Sequence, residues 1–453
     1  MPDPVKNNRR QFLKKSAVGA AAVGFVPYFS STSKALTGGM KNDRLQVGCI
    51  GMGGMGMGDA RGFSELTDIV AVCDVDSQRA EKAKNDPEVG NGKADVYADY
   101  RKILERDDID IVSIVTPDHW HVKMAIEALE AGKHVFCQKP LTLTVDEGRI
   151  IREACEKHSD KVFKVGTQQR SGKRNFLRAV NMVQQGHLGE VTKVTIGIDG
   201  SKTGGPFKVV DVPEHLDWNN WLGPAPMVDY RKERCHYTFR WWYEYSGGKF
   251  TDWGAHHIDI ASWALGINGP GMGPIEIDGS DSQHPVEFKN GMPTSDDSFN
   301  TSHDFAIQCR FENGLKMEVN SRDDNGILFE GTKGRIFVNR RKITGTPIEK
   351  RWDKDTFNDE SISELYKGKP YEGHKENFLR CIAEGGLPVS DVFTHVQAMN
   401  TCHLSAIAAR LGGKITWDPK NEQIVGNDIA ASLLSRTPRE GFEIPEVAMA
   451  ESK

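Results

Sequence analysis

The first half of the chain takes its fold from the segment Leu45-Gln46-Val47-Gly48-Cys49-Ile50-Gly51-Met52-Gly53-Gly54-Met55-Gly56. Its apolar start predicts a buried strand, and the G-x-G-x-x-G spacing that follows is typical of a turn that opens a helix beside a phosphate group. The first glycine permits the tight turn, the second lets a pyrophosphate approach the backbone, and the third lets helix and strand pack closely. The expected dinucleotide contacts are Gly51, Gly53, Gly54, Met55 and Gly56. A glycine-rich loop without a ligand is the competing interpretation.

Residues 44–166 around this segment alternate short apolar runs with helical stretches. The predicted strands are 46–51, 69–73, 111–115, 134–137 and 162–165, and the predicted helices are 57–66, 77–85, 100–106, 121–131 and 145–157. Continuous apolar strands separated by helices indicate a parallel sheet covered on both faces. The sequence therefore predicts a Rossmann dinucleotide-binding domain over 44–166.

Residues 167–453 have a different pattern and predict an α+β domain for substrate binding and oligomerisation, with a large open, mostly antiparallel sheet. Asn313-Gly314 joins two apolar alternating runs, a strong hairpin signal. The other predicted features are a helix at 173–185, a strand at 191–198, an aromatic stretch at 207–245, a helix at 252–265, a surface excursion or oligomer arm at 278–303 and a helical hairpin at 374–411.

Asp74 follows the second predicted strand, 23 positions after Gly51. A carboxylate there accepts hydrogen bonds from the adenosine ribose hydroxyls and repels a 2′-phosphate, so NAD is preferred over NADP. Arg79 nearby could soften that preference.

Two further predicted strands end in polar turns. The first runs Thr116-Pro117-Asp118-His119-Trp120-His121, and the second ends at Gln138-Lys139-Pro140. Ligands collect at the carboxyl ends of parallel strands. We therefore expect Thr116, Pro117, His121, Gln138 and Lys139 to contact the cofactor. His121 could instead simply start the next helix, and Lys139 could be a solvated surface lysine.

The segments G-M-G-G-M-G, T-P-D-H-W-H, A-G-K-H-V-F-C-Q-K-P and G-G-K-F-T-D-W-G-A-H-H-I-D occur in this order over residues 45–265. Together they resemble the glucose–fructose oxidoreductase / inositol dehydrogenase (Gfo/Idh/MocA) family. W-L-G-P-A-P and H-K-E-N-F-L-R-C-I extend the resemblance to exported bacterial members and to nearly the whole mature chain.

The resemblance implies NAD(P)-linked oxidation of a sugar, cyclitol or glycoside hydroxyl. It places the family's lysine at Lys139 and its Asp and His at Asp252 and His256. The chain departs from the family pattern at Gln138, where a glutamate is usual, and at Asp118, where many members carry Asn. Without that glutamate, Lys139 has one negative neighbour fewer, which favours its neutral form if it is buried.

Asp252, His256 and Asp259 are spaced i, i+4 and i+7, which places them on one face of a single predicted helix. A histidine beside a carboxylate is a suitable general base near neutral pH. We expect His256 to take the hydroxyl proton, Asp252 to orient the substrate or His256, and Lys139 to hydrogen-bond the reacting oxygen. Asp252 could instead be an N-terminal helix cap, or the three side chains could ligate a metal.

The aromatic run His236-Tyr237-Thr238-Phe239-Arg240-Trp241-Trp242-Tyr243-Glu244-Tyr245 could stack on a carbohydrate or fill a core or subunit interface. Gln168 and Arg170 follow a strand expected to reach the same crevice. The candidate substrate contacts are Gln168, Arg170, His236, Arg240 and Tyr243.

The N-terminus carries the pattern of a twin-arginine export signal over residues 1–35. Asn8-Arg9-Arg10-Gln11-Phe12-Leu13-Lys14 precedes a mildly apolar stretch and the small-residue site Ser33-Lys34-Ala35. The sequence therefore predicts a periplasmic protein that is exported folded with its cofactor already tightly bound. Retention of the signal as an anchor is the alternative.

The bulk properties exclude several partner classes. Net charge is −5, and loss of the basic signal would bring the mature chain to about −10, which argues against nucleic acid as a partner. No apolar run long enough to span a bilayer follows the signal. Eight cysteines lack zinc or C-x-x-C spacing, so we expect no disulfide framework and no metal.

The sequence thus predicts an exported NAD(P)-dependent oxidoreductase that acts on a sugar or glycoside and forms a homo-oligomer, either a dimer or a tetramer. A redox-neutral glycosidase is the alternative, in which oxidation, elimination, hydration and reduction leave NAD unchanged. A non-catalytic sugar-binding protein on a relic Rossmann fold is a third possibility.

Overall fold

The computed structural model of the protein describes residues 44–172 and 174–447, so the predicted export signal lies outside the described residues. The first part is a six-stranded, fully parallel sheet in the order β3-β2-β1-β4-β5-β6. Its strands are β1 Gln46–Ile50, β2 Asp68–Cys73, β3 Asp95–Tyr97, β4 Ile111–Ile114, β5 His134–Cys137 and β6 Phe163–Val165. This arrangement confirms the predicted Rossmann sheet.

Five helices follow successive strands: α1 Gly54–Ser64, α2 Ser77–Asn85, α3 Arg101–Leu104, α4 His121–Glu130 and α5 Val145–Lys157. Neighbouring residues of one strand, such as Cys49 and Ile50, enter two different apolar clusters on opposite faces of the sheet. Each fully buried Val, Ile or Phe contributes roughly 1.5–3 kcal/mol. Burial on both faces explains why these strands have apolar runs without alternation.

The sequence did not predict β3. This strand has only three residues, Asp-Val-Tyr, lies at the edge of the sheet and begins with an exposed carboxylate. A short polar edge strand lacks the apolar run on which strand prediction depends.

The second part has one large sheet in the order β16-β15-β14-β7-β13-β12-β8-β17-β18, with β9 beside β12. All pairs are antiparallel except β7 with β13. The strands are β7 Val191–Gly197, β8 Pro274–Asp278, β9 Ser282–Gln283, β12 Asp304–Phe311, β13 Lys316–Asn320, β14 Gly326–Gly331, β15 Arg335–Val338, β16 Ile343–Thr344, β17 Lys414–Asp418 and β18 Gln423–Val425; a separate hairpin contains β10 Phe288–Lys289 and β11 Met292–Pro293. The predicted open, mostly antiparallel sheet is confirmed.

The described residues of this part form ten α-helices. They are α6 Gln169–Gly172, α7 Arg174–Gln184, α8 Trp218–Leu222, α9 Lys249–Asp252, α10 Gly254–Leu265, α11 Thr346–Glu349, α12 Asp359–Leu365, α13 His374–Glu384, α14 Val392–Leu411 and α15 Asp428–Ser432. Helices α10 and α14 share an apolar cluster with one face of the large sheet. The other face of β12 exposes polar side chains, among them Gln308 and Arg310.

The helix predicted over 252–265 is two helices, because the chain turns at Trp253. The short helix α9 ends at Asp252, and α10 begins at Gly254. At the turn, the backbone N–H groups of His256 and His257 both donate to the Trp253 carbonyl at 3.0 Å. Asp252 and His256 therefore do not share one continuous helix face, and the i, i+4 argument from spacing was wrong in that respect.

The polar excursion at 278–303 lies against the chain's own second part. Its hairpin places Phe288 beside the Tyr243 ring, and Arg410 on α14 donates to the Gly291 carbonyl at 2.6 Å. A role as an oligomer arm stays a prediction.

Within the described ranges, no helix is long and apolar enough to cross a membrane. All eight cysteines are buried and free.

Gly56 lets α1 pack closely against the end of β1. A Cβ at Gly56 would lie 1.8 Å from the Gly51 carbonyl oxygen, so Gly56→Ala must push α1 away from β1. We expect a loss of about 1–3 kcal/mol in unfolding free energy and weaker nicotinamide cofactor binding, measured by urea unfolding and by titration.

Gly58→Ala is the matched control. Gly58 is exposed on the same helix, and a Cβ there meets nothing within 4 Å. Alanine should leave binding unchanged and stabilise the helix by about 0.5–1 kcal/mol. Equal effects of the two substitutions would contradict the close-packing argument.

Candidate active site

A cavity of about 440 Å³ opens at the carboxyl ends of β1, β4 and β5. The glycine loop lines one side, and residues of the aromatic stretch and of α9 line another. The cavity therefore lies where an open parallel sheet binds its ligands.

The glycine loop has the geometry of a phosphate cradle. Gly51 adopts φ +86°, and a Cβ there would lie 2.4 Å from the Val115 carbonyl oxygen, so only glycine fits the turn. Gly53 caps α1 without a side-chain hydrogen bond, and the first turn of α1 contains no acidic residue. The unpaired N–H groups of the helix start suit the pyrophosphate of a dinucleotide. These residues therefore fit NAD.

Asp74 lies at the end of the cavity that the ribose of an adenosine would occupy. Its Oδ2 accepts from the Met52 N–H at 2.7 Å and its Oδ1 from the Asp76 N–H at 2.9 Å. Burial raises the pKa of Asp74 above its ordinary value, while these two hydrogen bonds oppose the rise. The carboxylate thus fixes the glycine loop as well as facing the cavity.

His236 also lines the cavity, where it lies beside Asp76. Its Nε2 is 3.3 Å from the Asp76 carboxylate, and burial, followed by the charge of Arg79, lowers its pKa to about 4. Its neighbours are Asp76 and Arg79, and it lines the same cavity as Arg240, so its contact with a substrate stays a prediction.

Thr116 and Pro117 line the cavity, as expected for cofactor contacts, but His121 does not. The His121 imidazole is buried between two backbone carbonyls, with Nδ1 2.6 Å from Pro140 O and Nε2 3.0 Å from Thr116 O. Burial lowers its pKa to about 4. His121 supports the turns behind the cavity, which corrects its assignment to the cofactor.

Lys139 and Asp252 meet in the cavity wall. The Lys139 Nζ donates to Asp252 Oδ1 at 2.8 Å and to the Asp252 carbonyl at 2.9 Å. Lys139 lies two residues after the last residue of β5 and Asp252 ends α9, so the contact joins the two halves of the site. Asp252 is the last residue of its helix and not its N-terminal cap.

Asp252 remains ionised because of its cationic neighbours. Burial alone would raise its pKa, but Lys139 and Arg240 outweigh burial and hold the pKa at about 2. Arg240 Nε lies 3.9 Å from Asp252 Oδ2, and its guanidinium covers the Tyr237 ring at 4.1 Å. Arg240 thus lies beside Asp252 in the cavity lining, and its contact with a substrate stays a prediction.

Gln138 connects Lys139 to α1. Its Oε1 accepts from the Lys139 N–H at 3.1 Å, and its Nε2 donates to Asp59 Oδ2 on α1 at 2.6 Å. Lys375 on α13 donates to the other oxygen of Asp59 at 2.9 Å. A glutamate at position 138 would repel Asp59, whereas the amide bonds to it. The carboxylate that neighbours Lys139 is supplied instead by Asp252.

Asp118 is a site residue that the sequence analysis noted only as a departure from the family. It opens a 3₁₀ turn, Asp118–Trp120, in the segment that follows β4, and it lines the cavity together with Lys139, Ser246 and Asp252. Burial raises its pKa to about 7, against the Ser246 hydrogen bond and the charges of Lys139 and Arg240. Its position after a strand end was the signal that could have identified it.

His256 lies on α10 and is not among the residues that line the cavity. Its Nδ1 is buried and has no hydrogen-bond partner within the described residues. Burial, followed by the nearby charge of Lys139, lowers its pKa well below the usual histidine value. The imidazole is therefore neutral and close to Lys139, and its role as base stays a prediction.

Arg170 and Asp259 form a buried structural pair and not part of the site. Arg170 donates Nε and Nη2 to the two Asp259 oxygens at 2.7 Å, and both side chains are 1% exposed. His395 Nδ1 lies 3.2 Å from the same carboxylate. The expectation that Arg170 binds substrate was wrong, because its charge is already neutralised. Gln168, just before α6, does not line the cavity either.

Most of the aromatic stretch fills a core. Trp221, Trp242 and Tyr245 are buried in one cluster. The Tyr243 hydroxyl lies 3.3 Å from His284, its ring lies beside Phe288 and Arg410, and it does not line the cavity. Tyr243 is therefore a packing residue, which corrects its assignment to substrate. Tyr237 and Phe239 do line the cavity.

No group of three or more His, Cys, Asp or Glu side chains within residues 44–172 and 174–447 is placed to hold a metal ion.

Two family models match the chain. Residues 45–167 match the model described as "Oxidoreductase family, NAD-binding Rossmann fold", and residues 180–444 match "Oxidoreductase family, C-terminal alpha/beta domain". Both are Gfo/Idh/MocA models, which confirms the resemblance inferred from the motifs.

Similar curated proteins include glycosyl hydrolase family 109 proteins. The one from Shewanella pealeana is 34% identical over 209 residues, 41% of this chain and 45% of that protein. One from Shewanella sp. strain ANA-3 is 37% identical over 205 residues, 41% of this chain and 44% of that protein. The match thus spans less than half the length of these relatives.

Solved structures of similar fold cover 82% of this chain. The WlbA dehydrogenase from Bordetella pertussis, in complex with NADH and UDP-GlcNAcA, has a TM-score of 0.57 at 18% identity, with 98% of its chain covered. Levoglucosan dehydrogenase, in complex with NADH and levoglucosan, has a TM-score of 0.56 at 20% identity, with 99% covered. These likenesses show a shared fold.

The Asp74 contacts predict how cofactor choice will change. Asp74→Asn removes the charge that opposes a 2′-phosphate and keeps one oxygen for the loop. We expect NAD to bind about tenfold more weakly, or about 1.4 kcal/mol, and the ratio of NADP to NAD affinity to rise, as measured by calorimetry. Asp99→Asn, on the same cavity wall, is the control and should leave the ratio unchanged.

The buried pair predicts a loss of stability. Arg170→Ala would leave the Asp259 carboxylate buried with its main cation removed, which should cost about 3–5 kcal/mol in urea unfolding. Arg149→Ala breaks an exposed pair with Asp146 and should cost about 0–1 kcal/mol. If Arg170→Ala left stability intact and impaired substrate binding alone, the structural assignment would be overturned.

Proposed function

The chain belongs to the Gfo/Idh/MocA oxidoreductase family, and we propose that it is an NAD-dependent enzyme that oxidises a hydroxyl group of a sugar, cyclitol or glycoside. This proposal rests on the contact between Lys139 and Asp252, which line the same cavity as the glycine loop. A cation anchored beside a dinucleotide cradle suits binding of a hydroxyl oxygen whose carbon is to be oxidised.

The residues of the chain divide the work. The glycine loop and Asp74 bind the dinucleotide, and NAD, when bound, supplies the acceptor for hydride. Lys139 donates a hydrogen bond to the substrate oxygen and stabilises the charge that develops there as the O–H bond breaks. Asp252 and Gln138 fix the position of Lys139 through its ammonium and its backbone N–H.

The substrate class is supported by the surroundings of the reactive end. Tyr237, Phe239 and Arg240 line the cavity together with Asp252, so it presents both aromatic rings and charged groups. Aromatic faces pack on the C–H surface of a sugar while charged groups bind its hydroxyls. The structural neighbours bound to UDP-GlcNAcA and levoglucosan are consistent with this class.

A redox-neutral glycosidase is the second candidate, favoured by the family 109 relatives. In that reaction, oxidation of a ring hydroxyl acidifies the neighbouring C–H, the glycosidic group leaves by elimination, and hydration and reduction restore the sugar. Such a cycle needs no external supply of cofactor. It therefore suits the periplasmic location and twin-arginine export that we propose from residues 1–35, together with a tightly held cofactor and a homo-oligomeric assembly.

Product analysis separates the two candidates. Protein purified from the periplasm should release NAD when it is denatured, and mass spectrometry would detect the released dinucleotide. The native protein, incubated with a panel of sugars and aryl glycosides, should yield one of two sets of products. A dehydrogenase would give net NADH and a keto sugar, and a glycosidase would give free sugar without net NADH. A protein that releases no nicotinamide and turns over neither class would contradict the proposal.

Lys139→Met tests the site within the same assay. The variant should keep its NAD, since the glycine loop is untouched, and should lose about 10²–10³-fold in turnover. Lys333→Met, at an exposed lysine between β14 and β15, is the matched control and should retain full turnover.

A further inference from the structure

Asp118 and Asp252 are two acids in one cavity with opposite surroundings. Asp252 is bonded to Lys139 and lies 3.9 Å from Arg240. Asp118 is 5% exposed, faces the same cavity, and forms no salt bridge with any residue of the described ranges. A hydrogen bond with Ser246 stabilises its ionised form.

The charged groups around Asp118 come from three elements. Lys139 at the end of β5 and Arg240 in the aromatic stretch favour its ionised form, and Asp252 on α9 favours its neutral form. Cys137, also on β5, is near Asp118, and burial keeps the pKa of its thiol well above the ordinary value. Because Asp252 already holds the cation Lys139, burial dominates at Asp118.

This division gives the two acids different capacities. With a pKa of about 2, Asp252 is a permanent carboxylate, whereas Asp118, with a pKa of about 7, exchanges a proton near neutral pH. Two carboxyl groups whose surroundings separate their pKa values are a recurring arrangement for acid–base chemistry. His256, in contrast, is absent from the cavity lining.

We propose that Asp118 is the residue that takes the hydroxyl proton of the substrate, an inference that rests on the proposed function. In the step, the substrate O–H bond breaks and its proton passes to the Asp118 carboxylate. The C–H electron pair leaves as hydride to NAD, and the carbon becomes a carbonyl, so charge and atoms balance. In a redox-neutral cycle the same carboxyl group returns the proton when the carbonyl is reduced.

The test compares Asp118→Asn with His256→Ala in holoenzyme assayed on the substrate found by product analysis. Oxidation by the parent protein should rise about tenfold per pH unit up to about pH 7 and then level off, because Asp118 must be ionised. Asp118→Asn should lose about 10²–10⁴-fold in rate and lose that rise. If the rise persists in Asp118→Asn and vanishes in His256→Ala, the histidine is the base and the proposal fails.

A second measurement needs no substrate. The folded protein keeps a proton on Asp118 that the unfolded chain releases above its ordinary pKa, so the parent's stability should fall as pH rises from about 4 to about 7. The melting temperature of Asp118→Asn relative to the parent should therefore increase across that window. A constant difference from pH 4 to pH 8 would overturn the proposal.

Glu147→Gln is the matched control, since Glu147 is also buried with its pKa raised to about 7 by burial but does not line the cavity. It should alter the dependence of stability on pH and leave the pH–rate profile intact. If no sugar or glycoside is converted by the parent protein, the proposed function fails. If conversion occurs and Asp118→Asn behaves like the parent, only the role of Asp118 fails.

Discussion

The ion pair between Lys139 and Asp252 organises the other charged groups of the site. Lys139 directly follows the end of a strand of the parallel sheet, and Asp252 ends a helix more than a hundred residues later. Both are largely buried, so removing either would leave an uncompensated charge, a cost of about 3–5 kcal/mol in such pairs. The pair therefore fixes the Lys139 ammonium where a substrate oxygen would lie. It also keeps Asp252, one of the two acids in the cavity, ionised.

The pairing of Asp252 with Lys139 determines the electrostatics of the whole cavity. Asp252, Lys139 and Arg240 form a compact group of permanent charges. The neighbouring Asp118 has a hydroxyl partner, Ser246, and no ion pair within the described residues, so its burial favours the neutral form. Fixed charges position a substrate, and a group that changes charge moves a proton. The cavity combines both kinds of acid within one wall.

The sequence predicted the features that follow from local pattern. The strand–turn–helix around Gly51, the strand-end turn of Lys139 and the alternation of the second sheet are each encoded within a short window. Features that depend on tertiary contact were missed. Arg170 looks like a crevice residue until Asp259 is folded against it, and Tyr243 like a sugar platform until the 278–303 segment covers it. The turn at Trp253 and the ionisation of Asp118 likewise depend on neighbours distant in the chain.

The bridge from Gln138 through Asp59 to Lys375 has a consequence for the order of assembly during synthesis. Asp59 lies on the helix that begins at the glycine loop, yet one of its two partners belongs to α13, near the end of the chain. Phe378 of that helix also packs into the apolar cluster beneath the loop. While the ribosome is still extending the second half, the nucleotide cradle lacks this support. Its final shape, and with it firm capture of the dinucleotide, must await a nearly finished polypeptide.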